Sequence, residues 1–451
     1  MRLEARPSAI FPATHGLRRP DSGWALIQRQ VDAALNDRLE RGVAAPIVVA
    51  FSGGGDSLVL LLAAKAWADG AGRRLVAITV DHGLQAASED WALWCQRRAE
   101  RLDVEHRTQV WTGERPKRGI AAAARAARHG LLADVARQIG AAVILIGHTA
   151  DDRLETRVMR QWGARLSEPR TWSPSPAWPQ GRGMFLLRPL LATRRAAIRD
   201  GLKQSGETWI EDPSNTDPAQ PRSRARLLLA GDGALGPEAV SASAAALFDH
   251  VEEGAAGDLM IASEVLVDAP RGDARAFLGA ALLCASGTAT PPRGDRLDRL
   301  LGRIAAREPF VATLAGARVQ SDGRVVRIMR EAGGYSRRAP PDVALPVGQT
   351  IVFDGRFELT ARLPDLVARL ARGRAGRLSQ RERRLLKASP PAARLAAPLV
   401  AAADGSVFCP LFGPEADVQT RGLIMGRLAG ACGAIWDEAA IRRVANASRT
   451  P

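Results

Sequence analysis

Two short stretches of this chain combine residue types able to handle a polyphosphate. Ser52-Gly53-Gly54-Gly55-Asp56-Ser57 sets three glycines and an aspartate between two serines. Consecutive glycines let the backbone turn tightly and aim several N–H groups at an anion, and a helix starting there adds its partial positive charge. An acid inside such a turn makes sense when Mg²⁺ lies between carboxylate and phosphate, so Asp56 is a candidate metal ligand. No Gly-Lys-Ser/Thr follows, which excludes a Walker A loop, and the spacing is not that of a dinucleotide fingerprint. The second stretch, Gly147-His148-Thr149-Ala150-Asp151-Asp152-Arg153-Leu154-Glu155-Thr156, brings three carboxylates into five positions. On a helix, Asp152 and Glu155 share a face at i, i+3. His148 can orient a substrate or take a proton. Arg125 and Arg128, also three apart, can fork onto a carboxylate or a phosphate.

These residues need a scaffold that brings them to one place. Pro46–Phe51, Leu75–Val80 and Ala142–Ile146 are short apolar runs without polar alternation, each followed by helical spacing; His106–Trp111 is a further strand candidate. Strands of this kind belong to a parallel sheet covered on both faces, so the fold class is α/β, with a doubly wound parallel sheet. Its strand ends carry Ser52–Ser57, Asp81-His82-Gly83 and Gly147-His148, and ligands bind at such ends. The expected organisation is an extension over 1–42, the α/β domain over 43–232, a helical middle domain over 233–338 and a small α+β C-terminal domain over 342–451. Arg165–Gly183, with four prolines and two tryptophans, reads as a long surface loop. Thr350–Leu359 and Leu399–Phe408 read as strands.

The 451 residues hold 63 Lys plus Arg against 48 Asp plus Glu, a net charge of +15, and only four of the bases are lysine. Such a surplus points to a polyanionic partner, nucleic acid first. Four cysteines, none in a CxxC, argue against a disulfide scaffold, a zinc ribbon or a cysteine-ligated cluster. No apolar run reaches the roughly 18 residues of a membrane span. The first 25 residues carry four arginines and no apolar core, so no secretory leader and a cytoplasmic location are expected.

The glycine turn resembles the PP-loop of the N-type ATP pyrophosphatases, which cut ATP between its α- and β-phosphates. Further segments resemble the tRNA(Ile)-lysidine synthetase family: Val80-Asp81-His82-Gly83-Leu84, the 147–156 stretch, Arg188-Pro189-Leu190-Leu191, and Trp209-Ile210-Glu211-Asp212-Pro213-Ser214-Asn215-Thr216-Asp217. Together they span roughly residues 45–230. The resemblance implies an ATP- and Mg²⁺-dependent ligase that adenylates the wobble cytidine of a CAU-anticodon isoleucine tRNA and then joins L-lysine to it. It implies ATP contacts at Ser52, Gly53, Gly54, Gly55, Asp56, Ser57 and Asp81, and metal contacts at Asp56 and Asp152. Asp152, His148, Glu155, Arg125 and Arg128 would serve catalysis and the lysine pocket. Thr149 stands where many members have a second His, His129 where they have Tyr, and Ala122-Ala123 where a Glu is frequent. Another PP-loop chemistry, tRNA thiolation or amidation, is the alternative, and a homodimer is compatible with the sequence.

For the tRNA, the densest charge lies between Arg362 and Arg394, with ten bases and two acids, net +8. It suits sequence-independent contact to backbone phosphates. Arg222, Arg224 and Arg226 are a second basic group. Trp172 and Trp178 are candidates for stacking on an unpaired base.

Overall fold

The computed structural model describes residues 23–116, 118–164, 166–213, 217, 220–229, 242–333, 342–413 and 416–447. The first unit opens with α1 (Gly23–Arg38), β1 (Ile47–Ala50), α2 (Gly55–Ala71), β2 (Leu75–Asp81), α3 (Ser88–Glu100) and β3 (Glu105–Val110). It continues with α4 (Ile120–Gln138), β4 (Val143–Leu145), α5 (Ala150–Gln161), β5 (Trp172–Pro174), β6 (Phe185–Leu187), α6 (Arg195–Gln204) and α7 (Pro221–Leu228). The sheet order is β3-β2-β1-β4-β6-β5. All neighbours are parallel except β5, which runs against β6.

Successive strand residues point to opposite faces, and both faces are covered. Ile47, Val49, Leu75, Ala77, Val143 and Leu145 join the core that holds Ile27 and Val31 of α1, Leu58 of α2 and Ile198 of α6. Val48, Val76, Ile78, Ile144 and Leu186 pack on Leu132, Val135 and Ala136 of α4. That explains why these strands are apolar throughout instead of alternating. The order turns back between β1 and β4, and a crevice opens there beyond the C-terminal strand ends.

The stretch read as a surface loop is partly an edge strand. Trp172 lies in β5, its ring stacked on Phe185 at 4.8 Å, and its indole N–H donates to Ile435 O. Aromatic burial overrides the turn signals of the surrounding prolines.

The middle segment departs from the all-helical expectation. It has helices α8 (Ala242–Phe248), α9 (Ser263–Asp268), α10 (Arg271–Ser286) and α11 (Gly294–Ala305). It also has β7 (Glu252–Glu253), β8 (Leu259–Ala262), β9 (Phe310–Leu314), β10 (Ala317–Ser321) and β11 (Val325–Arg330), in a sheet of order β7-β8-β11-β10-β9. After Glu308 the buried positions keep to one face of each strand, two or four residues apart: Phe310 and Leu314, Ala317 and Val319, Val326 and Ile328. Ala315 and Gly316, at φ of 51° and 79°, make the tight turn of the first hairpin.

The C-terminal part forms two small antiparallel sheets. One is β12 (Val343–Leu345), β15 (Leu366–Leu370), β16 (Pro398–Ala401) and β17 (Val407–Phe408), and the other is β13 (Thr350–Phe353), β14 (Phe357–Ala361) and β18 (Val418–Gly422). Each run read as one strand is a hairpin, because Asp354 and Gly355 (φ 51° and 65°) and Gly405 (φ 84°) reverse the chain. Leu386 of α12 (Gln380–Lys387) packs with Leu399 of β16, and Ala393 of α13 (Pro391–Leu395) packs with Met329 of β11. The chain then returns to the other units. Ile424 and Leu428 of α14 (Ile424–Cys432) enter the middle core, while Ala440 and Ile441 of α15 (Glu438–Ala447) enter the first. Glu438 forms an ion pair with Arg73 at 3.0 Å, both side chains at most 1% exposed.

Candidate active site

The glycine turn leaves β1 and becomes α2. Gly53 adopts φ 78°, and a methyl group there would lie 2.3 Å from Ile210 Cδ1, so only glycine fits. Ile210 N–H in turn donates to Gly53 O at 3.0 Å, which makes Trp209–Asp212 a buttress for the turn. Ser57 Oγ donates to Gly54 O at 2.9 Å and accepts from Ser52 N–H at 3.2 Å. The helical ladder of α2 begins with Leu58 N–H on Gly54 O. The N–H groups of Gly55, Asp56 and Ser57 precede it, as an anion site requires.

Across the crevice, Gly147 closes against this turn; a methyl group on it would lie 3.0 Å from Asp56 O. Thr149 caps α5 through a box in which Asp152 Oδ2 accepts from Thr149 N–H at 2.8 Å and Oγ1 at 3.0 Å. Asp152 and Glu155 do share a face, and one residue ties them to the glycine turn. Arg195, the first residue of α6, donates to Asp56 Oδ2 at 3.0 Å and to Glu155 Oε1 at 3.0 Å, and approaches Asp152 Oδ2 at 3.5 Å. Arg226 of α7 donates to the same Glu155 oxygen at 2.9 Å, and Arg222 lies 3.5 Å from Oε2. Arg195 was not among the expected site residues. Its signal is position alone, just after Arg188-Pro189-Leu190-Leu191 and at a helix start beside the β4 end.

Burial pushes the Asp56 carboxyl above its usual range, with Arg195 pulling it back. Burial also acts against the charge of Asp152, but Arg195 and the Thr149 N–H hold its pKa below the ordinary value. Asp56 Oδ1 is buried without a hydrogen-bond partner. A free buried carboxylate oxygen beside Asp152 fits Mg²⁺, which takes one or two carboxylates and completes its shell with phosphate oxygens and water. Among the described residues no group of three or more His, Cys, Asp or Glu could hold a metal without such help.

His148 is placed at the end of β4, where Arg188 Nε donates to its Nδ1 at 3.0 Å. Burial lowers its pKa to about 3. The ring is therefore neutral with its proton on Nε2, and it offers a donor to the crevice; the lone pair a general base needs is already used. Arg125 and Arg128 of α4 line the wall and feel the charge of Arg222. Arg128 donates to His82 Nε2 at 3.3 Å. Asp81 also lines the crevice, and its Oδ1 accepts from Gly83 N–H at 2.7 Å. Asp151 stands apart: it accepts from Arg195 N–H at 2.7 Å and seats the start of α6. The whole crevice encloses about 1900 Å³.

The other expected nucleic-acid contacts divide. Trp178 donates to Gly355 O at 3.1 Å and lies under Arg427 at 4.0 Å, so both Trp172 and Trp178 are packing residues. Arg222 and Arg226 face Glu155, while Arg224 crosses the ring of Trp162 at 5.9 Å. Eight of the ten bases between Arg362 and Arg394 are exposed. Ser214, Asn215 and Thr216 lie outside the described residues. All four cysteines are free and buried, and burial pushes each thiol up to about 12.

A glycine turn at the switch point of a parallel sheet, without a Walker lysine and with acids facing it, defines a PP-loop nucleotide-binding domain. Residues 25–231 match that domain family. The chain belongs to the tRNA(Ile)-lysidine synthase family. It is 41% identical to the tRNA(Ile)-lysidine synthase of Caulobacter vibrioides, over 91% of this chain and 98% of that one. The enzymes of the same name from Hyphomonas neptunium and Mesorhizobium japonicum are each 35% identical. They cover 72% and 78% of this chain, and 90% and 80% of their own lengths is matched.

Proposed function

We propose that this chain is an ATP-dependent ligase that joins L-lysine to the wobble cytidine of a CAU-anticodon isoleucine tRNA, forming lysidine and releasing AMP and diphosphate. The observation that carries this is the convergence, in a lysidine synthase relative, of the PP-loop with Asp152 and Glu155 at one crevice through Arg195. In the first step the cytidine carbonyl oxygen attacks the α-phosphorus of ATP and diphosphate leaves. In the second, the lysine side-chain amine adds to the activated carbon, loses a proton, and AMP leaves.

The first turn of α2, with Ser52 and Ser57, holds the phosphates and stabilises the departing diphosphate. Asp56 and Asp152 would hold Mg²⁺, which neutralises charge on the phosphates when bound. Asp81 is the further ATP-side contact. Glu155 Oε2, buried without a hydrogen-bond donor of its own, can accept the lysine ammonium. Arg125 and Arg128 supply the clamp for the lysine carboxylate or the ATP phosphates. His148 donates from Nε2 to the bound substrate. Thiolation is disfavoured by the chain's own chemistry, since its four thiols are buried and protonated at neutral pH.

Withholding lysine isolates the first step. With ATP labelled in its α-phosphate and a CAU transcript, label should become attached to the RNA, and added lysine should chase it into AMP. Label released as ADP would contradict the reaction.

A further inference from the structure

Helix α5 carries Asp152 and Glu155 at one end, and Trp162 follows its last turn. Seven residues are two helical turns, so Trp162 lies on the Glu155 side, about 10 Å further along the axis. Helix α7 crosses this face. Its Arg222 and Arg226 reach Glu155, and Arg224, between them in sequence, is placed over the Trp162 ring. Trp162 is 47% exposed, and Leu227 and Leu228 beside it are 67% and 71% exposed. With Arg224 these residues line a hollow of about 590 Å³. Single exposed leucines are ordinary; three large apolar side chains sharing one hollow beside a catalytic crevice are not.

We propose that Trp162 and Arg224 form a stacking platform for a base of the anticodon loop that flanks the cytidine entering the crevice. The proposal rests on the tRNA reading above. An exposed indole with a guanidinium against it is the chemistry that receives an unpaired base: the ring offers its face, and the arginine adds a cation–π contact and a partner for the adjoining phosphate. The charge around the hollow agrees. Arg160 is exposed on the last turn of α5, and the nearby acid Glu168 is already paired with Arg153 and Arg157. An apolar protein partner would have to desolvate these guanidiniums, whereas an RNA backbone neutralises them. Trp172 and Trp178, the other tryptophans of this region, are engaged in packing.

The test measures the affinity of Trp162→Leu and Trp162→Phe for an isolated anticodon stem–loop RNA, alongside steady-state lysine incorporation into full-length tRNA. Leucine keeps the contact with Leu227 and Leu228 and removes the π face; phenylalanine keeps both. Trp162→Leu should weaken stem–loop binding roughly ten-fold, within the five- to hundred-fold range of one lost stack. It should raise the KM for tRNA while leaving kcat and the KM for ATP within about two-fold. Trp162→Phe should restore affinity to within about three-fold. Among stem–loops with an abasic residue at each loop position in turn, one should bind both proteins equally, and that position names the stacked base. Equal affinity of wild type and Trp162→Leu for the intact stem–loop would overturn the platform. So would a change in sedimentation on Trp162→Leu, which would assign the patch to contact between copies. A wild-type enzyme that adds no lysine yet shows the stacking pattern refutes the reaction and leaves the platform standing; the converse result refutes only the platform.

Discussion

Arg195 holds three carboxylates that would otherwise repel one another, and Glu155 among them is only 1% exposed. Removing a partner from a buried charge costs about 3–5 kcal/mol, so Arg195→Ala should lower stability by about 3 kcal/mol, with Arg226 left to hold Glu155. It should also lower kcat/KM by at least about a hundred-fold, because two carboxylates lose their placement. Arg195→Lys should recover little, since one ammonium cannot span three acids. Near-normal activity of the alanine variant, measured by lysine incorporation, would refute this role. A second residue-scale prediction concerns acid. His129 is 5% exposed, its pKa lowered to about 3 by burial and then by Arg125 and Arg128. It stays neutral in the fold while the unfolded chain takes up a proton below about 6.5. Its burial therefore adds no protonation penalty above that pH, and stability falls as pH drops from about 6.5 towards 3. At pH 5 the loss is about 2 kcal/mol. His129→Gln should flatten the acid side of a denaturation-versus-pH curve; an identical slope would contradict the assignment. Asp56, Asp152 and Glu155 were legible because their spacing is local. Arg195 was not, since its contacts reach back 40 to 139 positions and no short pattern encodes them.

At the scale of elements, the glycine turn works only if β1 and α2 meet at the conformation Gly53 adopts. Gly53→Ala should clash with Ile210 and strain the backbone, weakening ATP binding at least ten-fold and destabilising the fold by about 1–3 kcal/mol. Unaltered ATP affinity in a calorimetric titration would show that the turn tolerates a side chain. Strands β1, β2 and β4 were legible from their unbroken apolar runs, because strands buried on both faces carry little polar alternation, whereas the three-residue β6 is too short to show a pattern. The middle sheet was not foreseen. Ala-rich helices α10 and α11 dominate its composition, and the period-two spacing of Phe310–Leu314 and Ala317–Ser321 is short. The Ala315-Gly316 turn between them was the missed signal. For the same reason Thr350–Leu359 read as a strand, though Asp354-Gly355 bends it into a hairpin.

Over the whole molecule, the +15 surplus separates into places with different work. In the crevice Arg195, Arg222 and Arg226 are paired with Glu155, whereas Arg372, Arg374, Arg377, Arg381, Arg383, Arg384 and Lys387 are exposed around α12. Leu378 and Leu386 between them are buried, so these seven bases can be changed to glutamine without removing core. The substituted protein should bind tRNA at least ten-fold more weakly at low salt, with a shallower dependence of affinity on salt, because fewer counterions are released. An unchanged salt slope would refute the phosphate clamp. What composition could not show is how the far C-terminus returns: α15 is locked to the first unit by Glu438 and Arg73, 365 positions apart. The most direct test supplies the intact protein with Mg-ATP, labelled lysine and isoleucine tRNA transcripts that differ only in carrying CAU or GAU. Lysine should enter the CAU transcript alone, one per tRNA, with one AMP formed for each, and nucleoside analysis should place it on the wobble cytidine. Lysine in neither transcript, or in both equally, would contradict lysidine formation by this chain.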